Sequence, residues 1–242
     1  MEQSLKIALI GYGKMGKAIE EIAVERGHEI ALKISSQNLH EFNKDNLAEC
    51  DVAIEFTNPH SAVGNIEKCL EYKIPVVVGS TGWLENLSSI KKSCEENNGS
   101  FLYASNFSIG VNIFFEVNKK LAKLMSGQKD YDVSVEEIHH TQKKDAPSGT
   151  AITIAEQILS NVPRKDKWVN EVSANPTDLE IISKRIDPAP GTHSVKYSSS
   201  IDDIEIIHTA HNRKGFALGA VIAAEFIYGK KGIFTMQEVL GL

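Results

Sequence analysis

The chain has 242 residues, of which 42% are hydrophobic and 24% are charged. This composition is typical of a folded globular protein of one large or two smaller domains, and it excludes collagen-like and disordered chains. The net charge is −6, from 26 basic and 32 acidic residues, which argues against a general nucleic-acid or anionic-membrane binder. We therefore expect neither nucleic acid nor membrane as a partner, and an anionic ligand needs a local cluster of positive charge.

The cysteines fit neither a disulfide framework nor a zinc ribbon, because there are three of them and no two have the CxxC spacing. We expect Cys50, Cys69 and Cys94 to be reduced and structural. The apolar run near the N-terminus is too short for a signal peptide, and the one near the C-terminus is interrupted by Glu225. The sequence therefore predicts a cytoplasmic protein.

The first hundred residues alternate between short apolar runs and helical patterns. Residues 5–10 predict a buried strand, the glycine-rich segment 11–16 follows directly, and apolar residues then recur at helical spacing. Further strands are predicted at 30–33, 51–56, 73–78 and 101–104. This alternation indicates an α/β domain whose mostly parallel sheet is covered on both faces, and right-handed crossovers make it Rossmann-like and doubly wound.

After Asn106 the pattern changes, and a second domain is predicted. Its elements are a long amphipathic helix over about 111–125 and strands at 131–138, 193–197 and 203–209. An apolar helix follows over about 216–228. If this helix packs on the first sheet, the first domain is residues 1–106 completed by 214–242, and the second domain is 107–213.

The segment Gly11-Tyr12-Gly13-Lys14-Met15-Gly16 has the GxGxxG spacing of dinucleotide-binding turns. The spacing alone is a weak signal, and a purely structural turn is the alternative. Its position between a predicted strand and a predicted helix favours binding of a pyrophosphate by backbone N–H groups and the helix N-terminus. Two later loops also follow strands, where open α/β sheets bind ligands: Gly79-Ser80-Thr81 and Ala104-Ser105-Asn106-Phe107. Each of these, taken alone, is also consistent with a simple turn.

The residue at the end of the second strand helps to select the cofactor, because it meets the adenosine ribose. A carboxylate at this position favours NAD. Here the residue is Lys33, followed by Ser35 and Ser36, and these side chains fit a 2′-phosphate. The sequence leans toward NADP(H), with a solvated lysine as the alternative.

The segment EIHHTQKKDAPSGTAITIAEQIL carries the strongest functional signal. Apolar residues recur at helical spacing after it begins, so Ser148-Gly149-Thr150 is predicted to start a helix whose free N–H groups bind a carboxylate. Lys143, Lys144 and two histidines precede that helix. We infer a site for a small anionic molecule, most simply a dicarboxylate. A solvated basic loop is the alternative, and no Cys or HxxxH companion supports a zinc site.

His139 and His140 are adjacent, so on a strand their side chains point to opposite sides. They cannot both do the same job. We expect one of them to transfer a proton, for which a histidine with an ordinary pKa of about 6.5 is suited, and the other to bind substrate.

The chain resembles the dihydrodipicolinate reductase (4-hydroxy-tetrahydrodipicolinate reductase) family of the diaminopimelate route to lysine. The resemblance rests on GYGKMG, GSTG, ASNFSIGVN, EIHHTQKKDAPSGTA, GTHSV and HTAHNRKGFALGAV, in this order along essentially the whole chain. It implies an NAD(P)H-dependent oxidoreductase with a cofactor domain and an α+β substrate domain. The mixed sheet of the second domain would also build a homotetramer.

The resemblance also implies roles for particular residues. His139 would donate or accept the proton and Lys143 would be a second proton donor, with His140, Gly149 and Thr150 binding substrate. Cofactor contacts would come from Gly11 to Gly16, Lys33, Gly79 to Thr81 and Ala104 to Phe107. The family often has an acidic residue at position 33 and commonly uses both cofactors, so NADPH or NADH stays open.

Two other functions are consistent with part of the sequence. A non-catalytic NADP(H)-sensing regulator would share the fold, but it needs no proton donor beside a carboxylate site. A semialdehyde dehydrogenase needs an activated cysteine, and all three cysteines lie in the first predicted domain, away from the histidine-lysine loop.

Overall fold

The computed structural model describes residues 3–242 and divides into two compact units. The first unit contains the described residues up to Ile109 together with Arg213–Leu242, and the second is Gly110–Asn212. The strands in chain order are β1 (Lys6–Ile10), β2 (Glu29–Ile34), β3 (Val52–Glu55), β4 (Val76–Val78), β5 (Ser100–Tyr103), β6 (Asp132–His139), β7 (Lys167–Val169), β8 (Asp178–Arg185), β9 (Gly191–Ser198), β10 (Asp203–Ala210) and β11 (Gly232–Phe234). The helices are α1 (Lys14–Glu25), α2 (Lys44–Leu47), α3 (Pro59–Glu71), α4 (Leu87–Glu96), α5 (Ile109–Met125), α6 (Gly149–Leu159), α7 (Lys214–Ile227) and α8 (Met236–Leu240).

The first unit is built on a six-stranded sheet in the order β11-β5-β4-β3-β1-β2, with every neighbouring pair parallel. Alternate residues of β1 face opposite sides: Ile7 and Leu9 pack with α1 and α7, while Ala8 and Ile10 pack with α3 and α4. Both faces of the sheet are buried, so its strands appear in the sequence as continuous apolar runs rather than as alternating patterns. The predicted doubly wound parallel sheet is confirmed.

Two details of this unit differ from the predicted elements. Strand β4 begins at Val76 rather than at residue 73, because Lys73 has a φ of 64° and closes the turn after α3. The sequence did not predict β11, which adds in parallel to β5. A strand of three residues is too short to show an alternating pattern.

The second unit holds a mixed five-stranded sheet in the order β10-β9-β6-β8-β7. Strand β6 is antiparallel to β9 and parallel to β8, while β10 is antiparallel to β9. The predicted mixed sheet is confirmed, although β7 and β8 were not predicted. Helices α5 and α6 contribute to the apolar core on one face, which contains residues such as Phe115, Ile154 and Val135.

The cysteines are free and buried, as expected. Burial raises the pKa of the Cys50 thiol to about 11, and it also raises the pKa values of Cys69 and Cys94. A thiol whose pKa is raised carries little thiolate at neutral pH, so none of the three is an activated nucleophile. Within residues 3–242 no helix combines the length and the apolar character needed to cross a bilayer.

Candidate functional site

The glycine-rich turn of the first unit lies where the strand order reverses direction, between β1 and β3. A Cβ on Gly11, whose φ is +100°, would lie 2.1 Å from the carbonyl oxygen of Phe56, so the two chain segments meet too closely for a side chain. A Cβ on Gly16 would lie 2.4 Å from the carbonyl oxygen of Gly11, so the start of α1 packs tightly on the turn. A Cβ on Gly13 would have no atom within 4 Å.

Gly13 is therefore the glycine whose missing side chain leaves open space. It is the N-cap of α1, where free backbone N–H groups and the helix dipole attract an anion. Close approach of a pyrophosphate to this backbone requires that space. The fold itself does not require a glycine at this position, so the open space at Gly13 supports the binding of a dinucleotide at this turn.

We expect Gly13→Ala to weaken NAD(P)H binding by about tenfold, which corresponds to about 1.4 kcal/mol, while the thermal midpoint stays unchanged. The φ of Gly13 is −92°, so alanine is accommodated without backbone strain. Fluorescence titration with NAD(P)H and a thermal melt measure the two quantities. Gly16→Ala is the comparison, because its Cβ would collide with backbone and lower the midpoint. Unchanged affinity in Gly13→Ala would contradict the assignment.

Lys33 lies near the end of β2, as predicted, but its ammonium group is already paired. Its Nζ lies 2.6 Å from Oε1 of Glu20 on α1 and 5.2 Å from the centroid of the Tyr12 ring. The Tyr12 hydroxyl donates to the other oxygen of Glu20. The hydrogen bond from Lys33 lowers the pKa of Glu20, and the bond to Glu20 raises the pKa of Lys33. The predicted 2′-phosphate ligand would therefore compete with a carboxylate.

The other predicted cofactor loops follow the carboxyl ends of β4 and β5 at the same edge of the sheet as the glycine-rich turn. Ser80 Oγ accepts from the Thr57 N–H at 2.8 Å. The Phe56 ring fills the space that a Cβ on Gly79 would need, and it packs on Phe107 at 5.7 Å between ring centroids. Asn106 accepts from the Ser108 N–H at 2.9 Å. The remaining predicted residues of these loops are Thr81, Ala104 and Ser105, and those of the first turn are Lys14 and Met15.

In the second unit, the inner face of the sheet changes from apolar to charged toward one end. The buried side chains of β6 are Val133, Val135, Glu137 and His139, which face one side because alternate residues of a strand do so. Register adds residues from the neighbouring strands, since Glu137 stands opposite His193 on β9 and His139 stands opposite Arg185 on β8. Two histidines, a carboxylate and a guanidinium group thus meet at the edge of the core.

Glu137 is fully buried, with an exposed fraction of 0%. Its two carboxylate oxygens each lie 3.2 Å from the Ser148 backbone nitrogen, which donates to them. Two guanidinium nitrogens of Arg185 lie 3.4 Å from Oε1. Burial alone would raise the pKa of Glu137, but the Ser148 donor and the neighbouring His139 hold it below its ordinary value. Glu137 is therefore an ionised buried carboxylate whose charge is balanced.

The two histidines of this cluster differ in their contacts. His139 Nδ1 lies 3.4 Å from Glu137 Oε2 and makes no hydrogen bond to any described residue. Burial lowers the pKa of His139, and the Glu137 carboxylate opposes that shift. His193 Nε2 lies 3.2 Å from Ser148 Oγ. Burial, and next the charge of His139, lower the pKa of His193 to about 4, so His193 is neutral at pH 7.

The donor atoms of Glu137, His139 and His193 lie within 4.8 Å of one another, a proximity that the sequence did not predict. Such a trio is sterically able to surround a cation. Glu137, however, already accepts from Ser148 and faces the fixed positive charge of Arg185, which opposes a divalent ion. A divalent cation therefore does not suit this cluster.

The loop after β6 is held by side chains on both sides. Lys143 Nζ lies 2.9 and 2.8 Å from the two carboxylate oxygens of Asp145. Arg185 donates to the carbonyl oxygens of Lys143 and Asp145, at 3.3 and 2.6 Å. The backbone and hydroxyl of Thr141 donate to Asp187 at 3.0 and 2.6 Å. The predicted basic residue Lys143 is thus held by an ion pair with Asp145, in which another carboxylate could replace that of Asp145.

Helix α6 begins where the sequence predicted. Ser148 is the N-cap, and its hydroxyl accepts from the Ala151 N–H at 3.2 Å. A Cβ on Gly149 would meet nothing within 4 Å, so the first turn is open. Thr150 follows in that turn, and His140 lies one residue beyond the end of β6. The half-buried His140 and the buried His139 fit the predicted division to opposite sides of the strand.

Sequence reasoning missed Glu137, Arg185, His193 and Asp145. For Glu137 and His193 a signal existed, because each alternates in step with apolar inward-facing residues of its strand, which are Val133 and Val135 on β6 and Val195 and Tyr197 on β9. Arg185 gave no signal, since β8 was not predicted and only its parallel pairing with β6 places the guanidinium group beside Glu137.

Comparisons with known proteins agree on one family. The family model described as dihydrodipicolinate reductase, N-terminus, matches residues 5–107, and the one described as dihydrodipicolinate reductase, C-terminus, matches residues 110–240. A 4-hydroxy-tetrahydrodipicolinate reductase from Christiangramia forsetii is 50% identical over 240 residues, which cover 98% of each chain. A protein of the same name from Neisseria gonorrhoeae is 31% identical, again with 98% of each chain covered.

The fold has a relative among solved structures. A dipicolinate-bound dihydrodipicolinate reductase from Paenisporosarcina matches 98% of this chain and 99% of its own, with a TM-score of 0.77 and 23% identity. That likeness supports the two-sheet architecture alone. The sequence matches cover both units, and they establish the family. Together they show that the chain belongs to the dihydrodipicolinate reductase family.

Proposed function

We propose that the protein is a 4-hydroxy-tetrahydrodipicolinate reductase, which uses NAD(P)H to form tetrahydrodipicolinate in the diaminopimelate route to lysine. The observation that carries the proposal is that the buried His139 and the N-cap of α6 meet at one carboxylate. Glu137 accepts from the backbone N–H of the cap residue Ser148, and it also lies beside His139. This combines a proton-transfer group with a carboxylate-binding helix terminus. The relative at 50% identity over nearly the whole chain bears the name of this enzyme.

The first unit would hold the nicotinamide nucleotide, and the second unit the substrate. These assignments correspond to predicted domains of 1–106 with 214–242, and of 107–213. The open N-cap at Gly13 supports the first assignment, and the open first turn of α6 supports the second. When bound, NAD(P)H supplies a hydride, which adds to C4 of the cyclic unsaturated imine that remains after the 4-hydroxyl leaves as water.

The residues of the second unit would bind the substrate and move the proton. The first turn of α6, at Gly149 and Thr150, would hold the carboxylates together with His140 and Lys143. Hydride addition leaves an enamine, which takes a proton at C3 from His139. Lys143 supplies positive charge as electron density moves into the ring, and it is the second group able to donate the one proton that the reduction takes up.

The other two functions fit the site less well. A redox-sensing regulator has no use for a buried histidine that a buried carboxylate holds beside an anion-binding helix terminus. A semialdehyde dehydrogenase needs a thiolate, whereas burial raises the pKa of all three cysteines.

A coupled assay tests the proposed function. The substrate is generated from pyruvate and aspartate semialdehyde with the upstream synthase, and loss of the absorbance of the reduced nicotinamide is followed. Substrate-dependent oxidation of NADPH or NADH is the expected result. Cofactor binding without turnover would instead support the regulator.

Lys33 and its partner Glu20 bear on the choice of cofactor. We expect Glu20→Gln to free the Lys33 ammonium group and to shift the ratio of NADPH to NADH affinity toward NADPH by about tenfold. Lys33→Glu should shift the ratio the other way. Dissociation constants from fluorescence titration with each nucleotide measure both shifts.

Glu21→Gln is the matched control for this pair, because Glu21 is the next residue on α1 and is paired with Lys214 instead. It should leave the ratio unchanged. If Lys33→Glu also leaves the ratio unchanged, Lys33 does not contact the 2′-phosphate, and this residue gives no reason to expect a preference for NADPH.

Self-association through the second sheet follows from the family resemblance. The edge strand β10 and the turn before it expose Ile201, Ile204 and Ile207, and apolar residues gathered on an edge strand suit an interface. A homotetramer is the proposed state, which a molar mass from light scattering tests.

The proposed location is the cytoplasm, where reduced nicotinamide and the other soluble substrates of such a route are available.

A further inference from the structure

We infer that Glu137 is a positioning residue for proton transfer: it orients His139 so that Nε2, rather than Nδ1, exchanges the proton with substrate. The inference rests on the proposed function and adds a residue that neither the sequence nor the family comparison assigned.

The orientation of His139 carries the first step. Its Nδ1 lies 3.4 Å from Glu137 Oε2 and has no hydrogen-bond partner among the described residues. In the neutral ring one nitrogen holds the proton, and a carboxylate beside Nδ1 favours the tautomer with the proton on Nδ1. Nε2 is then the nitrogen that gains and loses a proton.

Space around Nε2 carries the second step. Gly191 begins β9 beside His139, and a Cβ on this residue would lie 3.1 Å from Nε2. Any larger residue would press on the nitrogen. The absence of a side chain therefore keeps Nε2 unobstructed on that side, while Nδ1 is enclosed by Glu137.

The charge of Glu137 carries the third step. Burial and the positive charges of Lys143 and Arg185 oppose protonation of His139, whereas the carboxylates of Glu137 and Asp145 favour it. The adjacent His193 is neutral at pH 7 and adds no charge there. Of the two carboxylates, only Glu137 is fully buried, so its effect is screened least by solvent. Glu137 thus keeps a buried imidazole able to accept a proton.

Glu137 also links this histidine to the substrate-binding helix. The carboxylate accepts from the Ser148 N–H at the N-cap of α6 while it faces His139. One rigid group therefore fixes the distance between the proton donor and the start of that helix, which is the geometry that proton transfer to a bound dicarboxylate needs.

Glu137→Gln tests the inference, because glutamine keeps the shape and removes the charge. Removing a negative charge at 3.4 Å lowers the pKa of His139, so the loss of kcat/KM with rising pH should begin about one pH unit lower or more. Arg185→Gln removes a positive charge and should move the same limb to higher pH. Opposite shifts are a result that a merely structural role would not produce.

Glu136→Gln is the matched control. Glu136 is the preceding residue on β6, faces the other side of the sheet and pairs with Lys184 at 2.6 Å. The pH profile of kcat/KM of this variant should superimpose on that of the unsubstituted protein. A pH limb that stays in place in both Glu137→Gln and Arg185→Gln would overturn the inference.

Nitrogen-15 NMR of the unsubstituted protein tests the orientation without substrate and without a variant at Glu137. The His139 signals are assigned by their absence in His139→Gln. We expect the neutral ring to carry its proton on Nδ1, and a proton on Nε2 would overturn the inference. Because this measurement needs no turnover, it separates failure of the inference from failure of the proposed reductase activity, which the coupled assay reports.

Discussion

Replacing His139 by glutamine should lower kcat by roughly 10²- to 10⁴-fold, the range expected when a general acid is removed. Glutamine occupies a similar volume and retains polar atoms, but it cannot deliver a proton at neutral pH. The imidazole is buried and faces Glu137, so its loss removes a positioned proton donor rather than a solvated side chain. Steady-state kinetics in the coupled assay give kcat and KM separately.

His140→Gln is the natural comparison for this variant. His140 lies beyond the end of β6 and is half-buried, and we propose that it binds substrate. Its replacement should raise KM and leave kcat within a few-fold. If His139→Gln also retains a near-normal kcat with a raised KM, His139 is a binding residue and the proposed proton transfer must pass through another group.

Replacing Lys143 by alanine should also lower kcat by roughly 10²- to 10⁴-fold if the ammonium group takes part in proton transfer. KM should rise as well, because a carboxylate-binding charge is lost. In the structure this ammonium group is paired with Asp145, whose side chain is 61% exposed. An ion pair this exposed is weak, so a substrate carboxylate is able to displace Asp145.

Lys144→Ala provides the contrast for Lys143. The two residues carry the same charge and are adjacent, and Lys144 is exposed. If charge alone attracts the substrate, the two variants should raise KM by similar factors and neither should lower kcat much. The proposed role of Lys143 requires that only Lys143→Ala lowers kcat, and equal kcat values in the two variants would contradict it.

Much of the candidate site could be predicted because its signals are local. Ser148 was identified as a helix cap from the apolar spacing that follows it, and the glycine-rich turn was identified from its position after an apolar strand. Opposite placement of His139 and His140 follows from the twofold repeat of a strand. These patterns depend on residues a few positions apart, so the sequence alone contains them.

The partners of these residues were not predictable in the same way. Arg185, His193 and Ser148 surround Glu137, at sequence separations of 48, 56 and 11 residues. They meet because β8 and β9 pair with β6 in one particular register. A shift of that register by one residue would turn each of these side chains to the other face.

Lys33 illustrates the same limit in the first unit. Its position at the end of the second strand is readable from the sequence, and so is its charge. That the ammonium group is engaged by Glu20 on α1, with Tyr12 on the same carboxylate, follows only from the packing of the helix against the strand. The sequence therefore indicates a contact with the ribose, whereas the competition for that lysine comes from the structure.

By itself, the sequence determined the two-part α/β architecture, the nucleotide-binding turn, the start of α6 and the histidine-lysine loop, because each depends on short-range periodicity and on residue type. Only the tertiary structure decided which charges face one another. Burial of Glu137, the lowered pKa values of His139 and His193, and the pairing of Lys33 with Glu20 all depend on neighbours from other strands and helices. Electrostatic interactions act through space, so they are fixed only when the chain has folded.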